Sequence, residues 1–143
     1  MTEHHDLARF VEAQDASGTH AQALTELRRG HKTSHWMWFV LPQIAGLGSS
    51  PTAVKYAVHS LAEARAYLAH PVLGPRLLEC SRALLDLPGD DAAAVLGGID
   101  ARKLQSSMTL FHRADPEESA FTAVLEKYYG GAEDEGTTSI LAG

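Results

Sequence analysis

The strongest constraint on the fold is an apolar stripe with helical spacing in the middle of the chain. Leu73, Leu77, Cys80, Leu84 and Leu87 follow one another at steps of four, three, four and three residues. That period places all five side chains on one face of an α-helix, whereas a strand would need alternation. Such a face must be covered by other apolar surfaces, so the stripe predicts a core built from packed helices.

Signals for helix ends divide the rest of the chain into short helices. Ser60 and Glu63 have the spacing of a capping box, in which each side chain binds a free amide of the first turn. Tight joints are expected at glycine and proline pairs, namely His70–Pro71, Pro88–Gly89, Gly97–Gly98 and Gly130–Gly131. Only residues 37–44 offer a possible strand, and Pro42 interrupts it. We predict an all-α fold of about eight short helices with tight joints.

Composition agrees with a folded domain and excludes several classes of function. The 143 residues are 45% hydrophobic and 21% charged, which is usual for a globular chain, and we predict a single domain over 1–143. Twelve basic and eighteen acidic residues give a net charge of −6, which disfavours binding to a nucleic-acid polymer. A local basic pocket for a small phosphate is still compatible with this balance.

Cysteine content and the terminal sequence point to the cytoplasm. Cys80 is the single cysteine, so no internal disulfide or multi-cysteine metal site is expected, which suits a reducing compartment. No segment approaches the ~18 uninterrupted apolar residues of a membrane span, and the polar residues 1–6 differ from a secretory signal. We predict a cytoplasmic protein that binds no membrane, and we expect a monomer or a weak homodimer.

Several phrases of sequence are more particular than helix formation requires. They are HWMWF at 35–39, PQ at 42–43, GLGSS at 46–50, YLAHPVLG at 67–74 and KLQSSMTLF at 103–111. In these phrases the chain resembles a compact bacterial family of unknown function that sometimes carries the label calpastatin. The resemblance implies a small all-helical domain and no established activity. The inhibitor label has no support, because such an inhibitor is expected to be a disordered chain of low hydrophobicity.

The first candidate site is the segment 30–39, which holds two histidines, one lysine and three aromatic residues. Aromatic faces beside cationic groups suit a planar anionic ligand such as a nucleotide, with Lys32 binding a phosphate and His35 and Trp36 forming a wall. The alternative is that Trp36, Trp38 and Phe39 are core anchors and the polar residues lie on a solvated turn.

The spacing of His31 and His35 also resembles a metal-binding pair on a helix. Lys32 follows His31, however, where a zinc protease would need its glutamate, and two ligands do not hold a catalytic zinc. We predict no metal and no other cofactor.

The second candidate site lies in residues 100–109, where Lys103 and Ser107 share one face of a predicted helix. A Ser–Lys pair can act as nucleophile and base, can clamp a phosphate, or can belong to a solvated face. Asp100 is either the N-cap of this helix or a carboxylate of the site.

The third candidate is the tail, where Asp134 follows two glycines and a glutamate. Asp134 could serve as an acid, a base or an acceptor for ribose hydroxyls. The alternative is a surface loop in which Thr137 or Thr138 caps a last helical turn. The glycines of 46–50 could also cradle phosphate oxygens.

Together these segments predict one pocket for a small nucleotide- or ADP-ribose-like ligand, which the protein binds or hydrolyses. The predicted ligand-binding residues are His35, Trp36, Gln43, Lys103, Ser107 and Lys32, and the predicted catalytic residues are Asp134 and Asp100. The prediction depends on the tryptophan segment and the lysine–serine helix meeting around one hollow. The alternative function is a protein-interaction or regulatory module that uses residues 36–39.

Overall fold

The computed structural model describes residues 5–143, which form ten α-helices and one turn of 3₁₀ helix. The helices are α1 (Ala8–Asp15), α2 (Thr19–Arg29), α3 (Met37–Val40), α4 (Pro51–Lys55), α5 (Leu61–Ala69), α6 (Leu73–Asp86), α7 (Ala92–Leu96), α8 (Gly98–Ala114), α9 (Ser119–Tyr129) and α10 (Glu135–Ala142). The predicted all-α class is confirmed, and the helix count exceeds the prediction because α3 and α4 are single turns. None of the helices in residues 5–143 is both long and apolar enough to cross a membrane.

The helix starts follow local capping chemistry. Ser60 accepts a hydrogen bond from the amide of Glu63 at 3.0 Å, as the capping box predicts. The Glu63 carboxylate, however, accepts from the amide of His59 at 3.3 Å, because Arg9 holds the same oxygen at 2.8 Å. This box therefore ties the start of α5 to α1.

Residues 37–44 differ from the strand that the sequence allowed. Met37–Val40 form the turn α3, and beyond it Ile44 makes one isolated parallel bridge to Val58. The amide of Val58 donates to the carbonyl of Gln43 at 2.8 Å, and the amide of Ala45 donates to the carbonyl of Val58 at 2.7 Å. Pro42 lacks a donor, so the pairing cannot extend toward α3. The bridge fixes the backbone of Gln43.

The core lies along α6 and α8. The predicted stripe of α6 is buried at positions 73, 77, 80 and 84, and α6 packs against α2, α5 and α9. The longer α8 packs against α5, α7, α9 and α10. A row of buried aromatic rings connects α1, α5 and α8. The ring centre of Tyr67 lies 5.2 Å from those of Phe10 and Phe111. Because α8 packs against four other helices, the backbone of its first turns is held in place.

Gly74 permits the close approach of α5 and α6. A Cβ atom at this position would lie 2.1 Å from the carbonyl oxygen of Leu68, which belongs to α5. The main chain cannot yield to such a contact without moving one helix. The glycine in the phrase at 67–74 is therefore required by packing.

Candidate functional site

A buried carboxylate, Glu26 of α2, holds the segment that precedes α3. Its Oε1 accepts hydrogen bonds from the amides of Thr33 and Ser34 at 2.8 and 3.0 Å and from the indole N–H of Trp36 at 2.9 Å. Its Oε2 accepts from the Ser34 hydroxyl at 2.6 Å and from the Gln22 amide at 2.8 Å. Burial alone would raise the pKa of Glu26, but these five hydrogen bonds outweigh it and hold the pKa far below its usual range. Glu26 thus fixes the segment in one conformation.

The same segment also contacts a second carboxylate, Asp100, which two lysines share. The ammonium group of Lys32 lies 2.9 Å from Oδ2 of Asp100, and that of Lys103 lies 3.5 Å from Oδ1. Asp100 sits in the first turn of α8, which begins at Gly98 with Gly97 as its N-cap residue. The predicted N-cap role of Asp100 is therefore wrong, because the helix starts earlier and Asp100 turns to the lysines.

Each of the two lysines also lies over a tryptophan ring. Lys32 is 5.1 Å from the ring centre of Trp36, and Lys103 is 4.4 Å from that of Trp38. These distances are those of cation–π contacts. The segment 32–38 and the start of α8, which are far apart in the sequence, therefore meet around Asp100.

Beside this cluster is an open groove of about 370 Å³. Its lining residues are Trp38, Gln43, Leu47, Gly48, Ser49, Ser50, Ala53, Ile99, Arg102 and Lys103. None of these ten carries a negative charge, whereas two carry a positive one. The volume lies within the roughly 300–1,000 Å³ of small-molecule sites. A smaller void of about 20 Å³ beside it is also lined by Trp38, Gln43 and Gly48.

The wall formed by residues 46–50 is shaped by packing. A Cβ atom on Gly48 would lie 2.8 Å from the Cβ of Ala53, so only glycine allows this loop to lie against α4. The Ser50 hydroxyl accepts from the amide of Ala53 at 3.1 Å and caps that helix. The glycines that the sequence offered as a phosphate cradle thus have a structural task, and the loop is held in place at the groove.

The structure separates the remaining predicted ligand-binding residues from the groove. Trp36 is 0% exposed, and its indole N–H is occupied by Glu26. Ser107 is also 0% exposed, and its hydroxyl has no hydrogen-bond partner in residues 5–143. His35 is exposed but does not line the groove. Gln43 and Lys103 line it, and Lys32 supports it through Asp100.

Asp134, the other predicted catalytic carboxylate, caps α10. Its Oδ2 accepts from the amide of Thr137 at 2.9 Å and from the Thr137 hydroxyl at 2.7 Å. Its own amide donates to the hydroxyl of Thr109 on α8 at 2.9 Å. The tail therefore ends in a helix capped by the aspartate, not by Thr137 or Thr138 as the alternative interpretation had it.

Sequence reasoning missed three residues of this region. Glu26 could have been found, because it lies on the apolar face of α2 with Ala23 and Leu27, where a carboxylate must find internal donors. Trp38 belonged to the candidate segment 30–39, with a core anchor as the alternative, but was not named among the ligand-binding residues; it is half-buried and lines the groove. Arg102, next to Lys103, carried no signal of its own beyond its charge.

A larger cavity, of about 460 Å³, lies between α1 and α5 and is lined by Asp6, Arg9, Lys55, His59 and Glu63. Its charges are matched, since Arg9 binds Glu63 and also donates to the carbonyls of Lys55 at 2.9 Å and Ala57 at 2.7 Å. The cluster acts as a clamp for α1. Neither here nor in the rest of residues 5–143 is a group of three or more His, Cys, Asp or Glu side chains placed to hold a metal ion.

Comparison with known proteins places the chain in a family. A crystal structure of a conserved hypothetical protein from Mycobacterium tuberculosis is 51% identical and has a TM-score of 0.92, over 96% of this chain and 97% of that chain. No curated protein matches. A family model described as "Protein of unknown function (DUF1810)" matches residues 4–141. The resemblance to an uncharacterised family is confirmed, and the chain belongs to the DUF1810 family.

Proposed function

We propose that the protein binds a small nucleotide-like anion in the groove beside Trp38. The observation that carries this proposal is the stacking of Lys103 on Trp38, at 4.4 Å, in a groove whose ten lining residues include no carboxylate. A planar ring and a phosphate need an aromatic face and a cation within reach of each other. ADP-ribose and phosphorylated ribosyl bases belong to this class of ligand, and a cytoplasmic location would suit them.

The charge of the groove supports an anion. Asp100 has one negative charge for the two lysines that contact it, and Arg102 adds a further positive charge to the groove. The whole chain, by contrast, carries a net charge of −6. A local positive field on an acidic protein draws small anions to one place and does not favour a long polyanion.

Binding is supported better than hydrolysis. Asp134 has its Oδ2 occupied by the cap of α10, and Asp100 is held by two ammonium groups. Both predicted catalytic carboxylates therefore have structural tasks, and neither lines the groove. A general base would need a free lone pair directed at the reacting atoms.

The alternative function, a protein-interaction surface formed by residues 36–39, has less support. Trp36 and Met37 are buried in the core, and Phe39 packs against Tyr56 at 5.2 Å between ring centres. An interaction surface of this kind would need a contiguous exposed apolar patch, and this segment offers only the half-buried Trp38 and Phe39.

The proposal can be tested by calorimetry and thermal unfolding with AMP and ADP-ribose. A ligand at 100 times its dissociation constant should stabilise the fold by about 2.7 kcal/mol. Lys103→Met should weaken binding tenfold or more, because it removes the ammonium group and keeps the length of the side chain. Lys55→Met is the matched control, since Lys55 also lies over an aromatic ring, Tyr56 at 5.3 Å, outside the groove. Absence of binding by both compounds, or equal binding by Lys103→Met, would contradict the proposal.

A further inference from the structure

The groove holds more positive charge than its neighbouring carboxylate can neutralise. Asp100 lies closer to Lys32, at 2.9 Å, than to Lys103, at 3.5 Å. Lys32 is 8% exposed and is thus kept beneath the surface, while Lys103 is 21% exposed at the groove. Arg102 is exposed and makes no ion pair in the described part of the chain. Lys103 and Arg102 are therefore the two cations that a ligand can reach.

We propose that the groove is specific for a nucleoside carrying a terminal phosphate monoester. This inference rests on the proposed function and narrows it to one class of ligand. A phosphate monoester carries a charge of about −1.5 to −2 at neutral pH and presents three acceptor oxygens. Lys103 and Arg102 match that charge, and the guanidinium fork of Arg102 suits two of the oxygens.

Before any ligand binds, the cation and the aromatic ring of the groove already lie within the span of a single nucleotide. The ammonium group of Lys103 is 4.4 Å from the centre of the Trp38 ring. A phosphate oxygen bound to that ammonium at about 2.8 Å lies within about 7 Å of the ring. A single ribose can bridge a phosphate and a base over such a span.

Lys103 covers the Trp38 face in the unliganded protein. A phosphate offers its ammonium group a full negative charge, which is a stronger attraction than the quadrupole of an indole ring. The side chain then turns from the ring to the phosphate, and the base of the same ligand takes the vacated face. One event thus removes the cation–π contact and creates both the ionic and the stacking contact.

Gln43 supplies a group that can read the edge of the base. Its side chain lines the groove, and its backbone is fixed by the hydrogen bond from Val58 at 2.8 Å. A carboxamide offers a donor and an acceptor side by side, as an adenine edge requires. The base is thereby held by its face on Trp38 and by its edge on Gln43.

Calorimetry with AMP, ADP-ribose, adenosine and ribose 5-phosphate, all at one ionic strength, tests this specificity. We expect AMP to bind at least tenfold more tightly than adenosine, ribose 5-phosphate or ADP-ribose. Neither phosphate of ADP-ribose is a terminal monoester, because each is joined to a ribose by an ester bond and to the other phosphate by an anhydride bond. Equal or tighter binding of ADP-ribose would overturn the monoester inference and leave the proposed function intact. Equal binding of ribose 5-phosphate would overturn the base contact. Binding by none of the four would instead contradict the proposed function itself.

A pair of variants separates specificity from folding. Arg102→Gln should reduce the preference for AMP over ADP-ribose at least threefold, while Arg82→Gln, an exposed change on α6, should leave it unaltered.

Tryptophan fluorescence tests the stacking of the base. Trp36 is fully buried, so quenching of tryptophan fluorescence by acrylamide reports on Trp38. Saturating AMP should protect Trp38 from the quencher, whereas ribose 5-phosphate should not. Bound AMP without protection would show that the base does not lie on Trp38.

Discussion

Two carboxylates, Glu26 and Asp100, hold the segment 31–38, and they do so in different ways. Glu26 is completely buried and accepts five hydrogen bonds, all from groups of the chain itself. Asp100 is partly exposed and is shared by two lysines, which leaves positive charge unmatched. A carboxylate whose donors are complete stabilises a conformation, whereas a carboxylate with surplus cations beside it leaves charge for a ligand.

Removal of Glu26 should have the largest effect on stability. Glu26→Ala leaves the amides of Thr33 and Ser34 and the indole of Trp36 without an acceptor. Several unsatisfied buried donors should lower the free energy of unfolding by about 3–4 kcal/mol, measured by urea denaturation. The control Glu126→Ala, an exposed change on α9, should stay within about 0.5 kcal/mol of the wild type. A loss below 1 kcal/mol for Glu26→Ala would show that these donors find water instead.

A fall in pH should have the next largest effect on the free energy of unfolding. Burial tends to raise the pKa of Glu26 and of Glu63, but hydrogen bonds to Glu26 and the Arg9 contact to Glu63 outweigh it and lower both pKa values. A carboxylate with a lowered pKa stabilises the fold at pH values above its unfolded pKa of about 4.3 and loses that contribution as pH falls toward its folded pKa.

The contribution of these two carboxylates to the free energy of unfolding should therefore be constant from pH 7 to about pH 5 and fall steadily below pH 4. Urea denaturation at each pH measures that free energy. Glu26→Gln, which keeps the size of the side chain and cannot titrate, should show a shallower fall than the wild type. An identical slope in this variant would mean that Glu26 does not contribute to the acid sensitivity.

The sequence allowed the helices and the meeting of the two segments to be predicted, but it did not distinguish the two tryptophans. Helix periods and caps are local, so the stripe of α6 and the box at Ser60 could be read directly. Trp36 and Trp38 lie on a segment without a period, and the buried ring is the one whose indole N–H donates to the carboxylate of Glu26, ten residues before it. Such a choice depends on tertiary partners, which spacing does not encode.

Asp100→Asn should have an intermediate effect. The change removes the charge that Lys32 and Lys103 share, but Lys103 can turn toward water at the groove, and Asp100 itself is partly exposed. We expect a loss of about 1–2 kcal/mol, smaller than for Glu26→Ala, since a pair at the surface contributes less than a buried one. Urea denaturation at 0.05 and 0.5 M salt checks this. The difference in the free energy of unfolding between variant and wild type should be smaller at 0.5 M, because salt screens the ion pairs. A loss equal to that of Glu26→Ala would mean that Asp100 is as structural as Glu26.

The smallest change in the free energy of unfolding should come from two serine hydroxyls of this region, one partly buried at Ser34 and one fully buried at Ser107. Ser34 donates to Glu26 at 2.6 Å, so Ser34→Ala should cost about 1 kcal/mol. The hydroxyl of Ser107 is buried without a partner in residues 5–143, and Ser107→Ala removes a polar group that the fold does not satisfy. Stability should therefore stay within about 0.5 kcal/mol of the wild type or rise slightly. A loss of 1 kcal/mol or more for Ser107→Ala would show that an internal water binds this hydroxyl, which would extend the polar region of the groove one helical turn beyond Lys103.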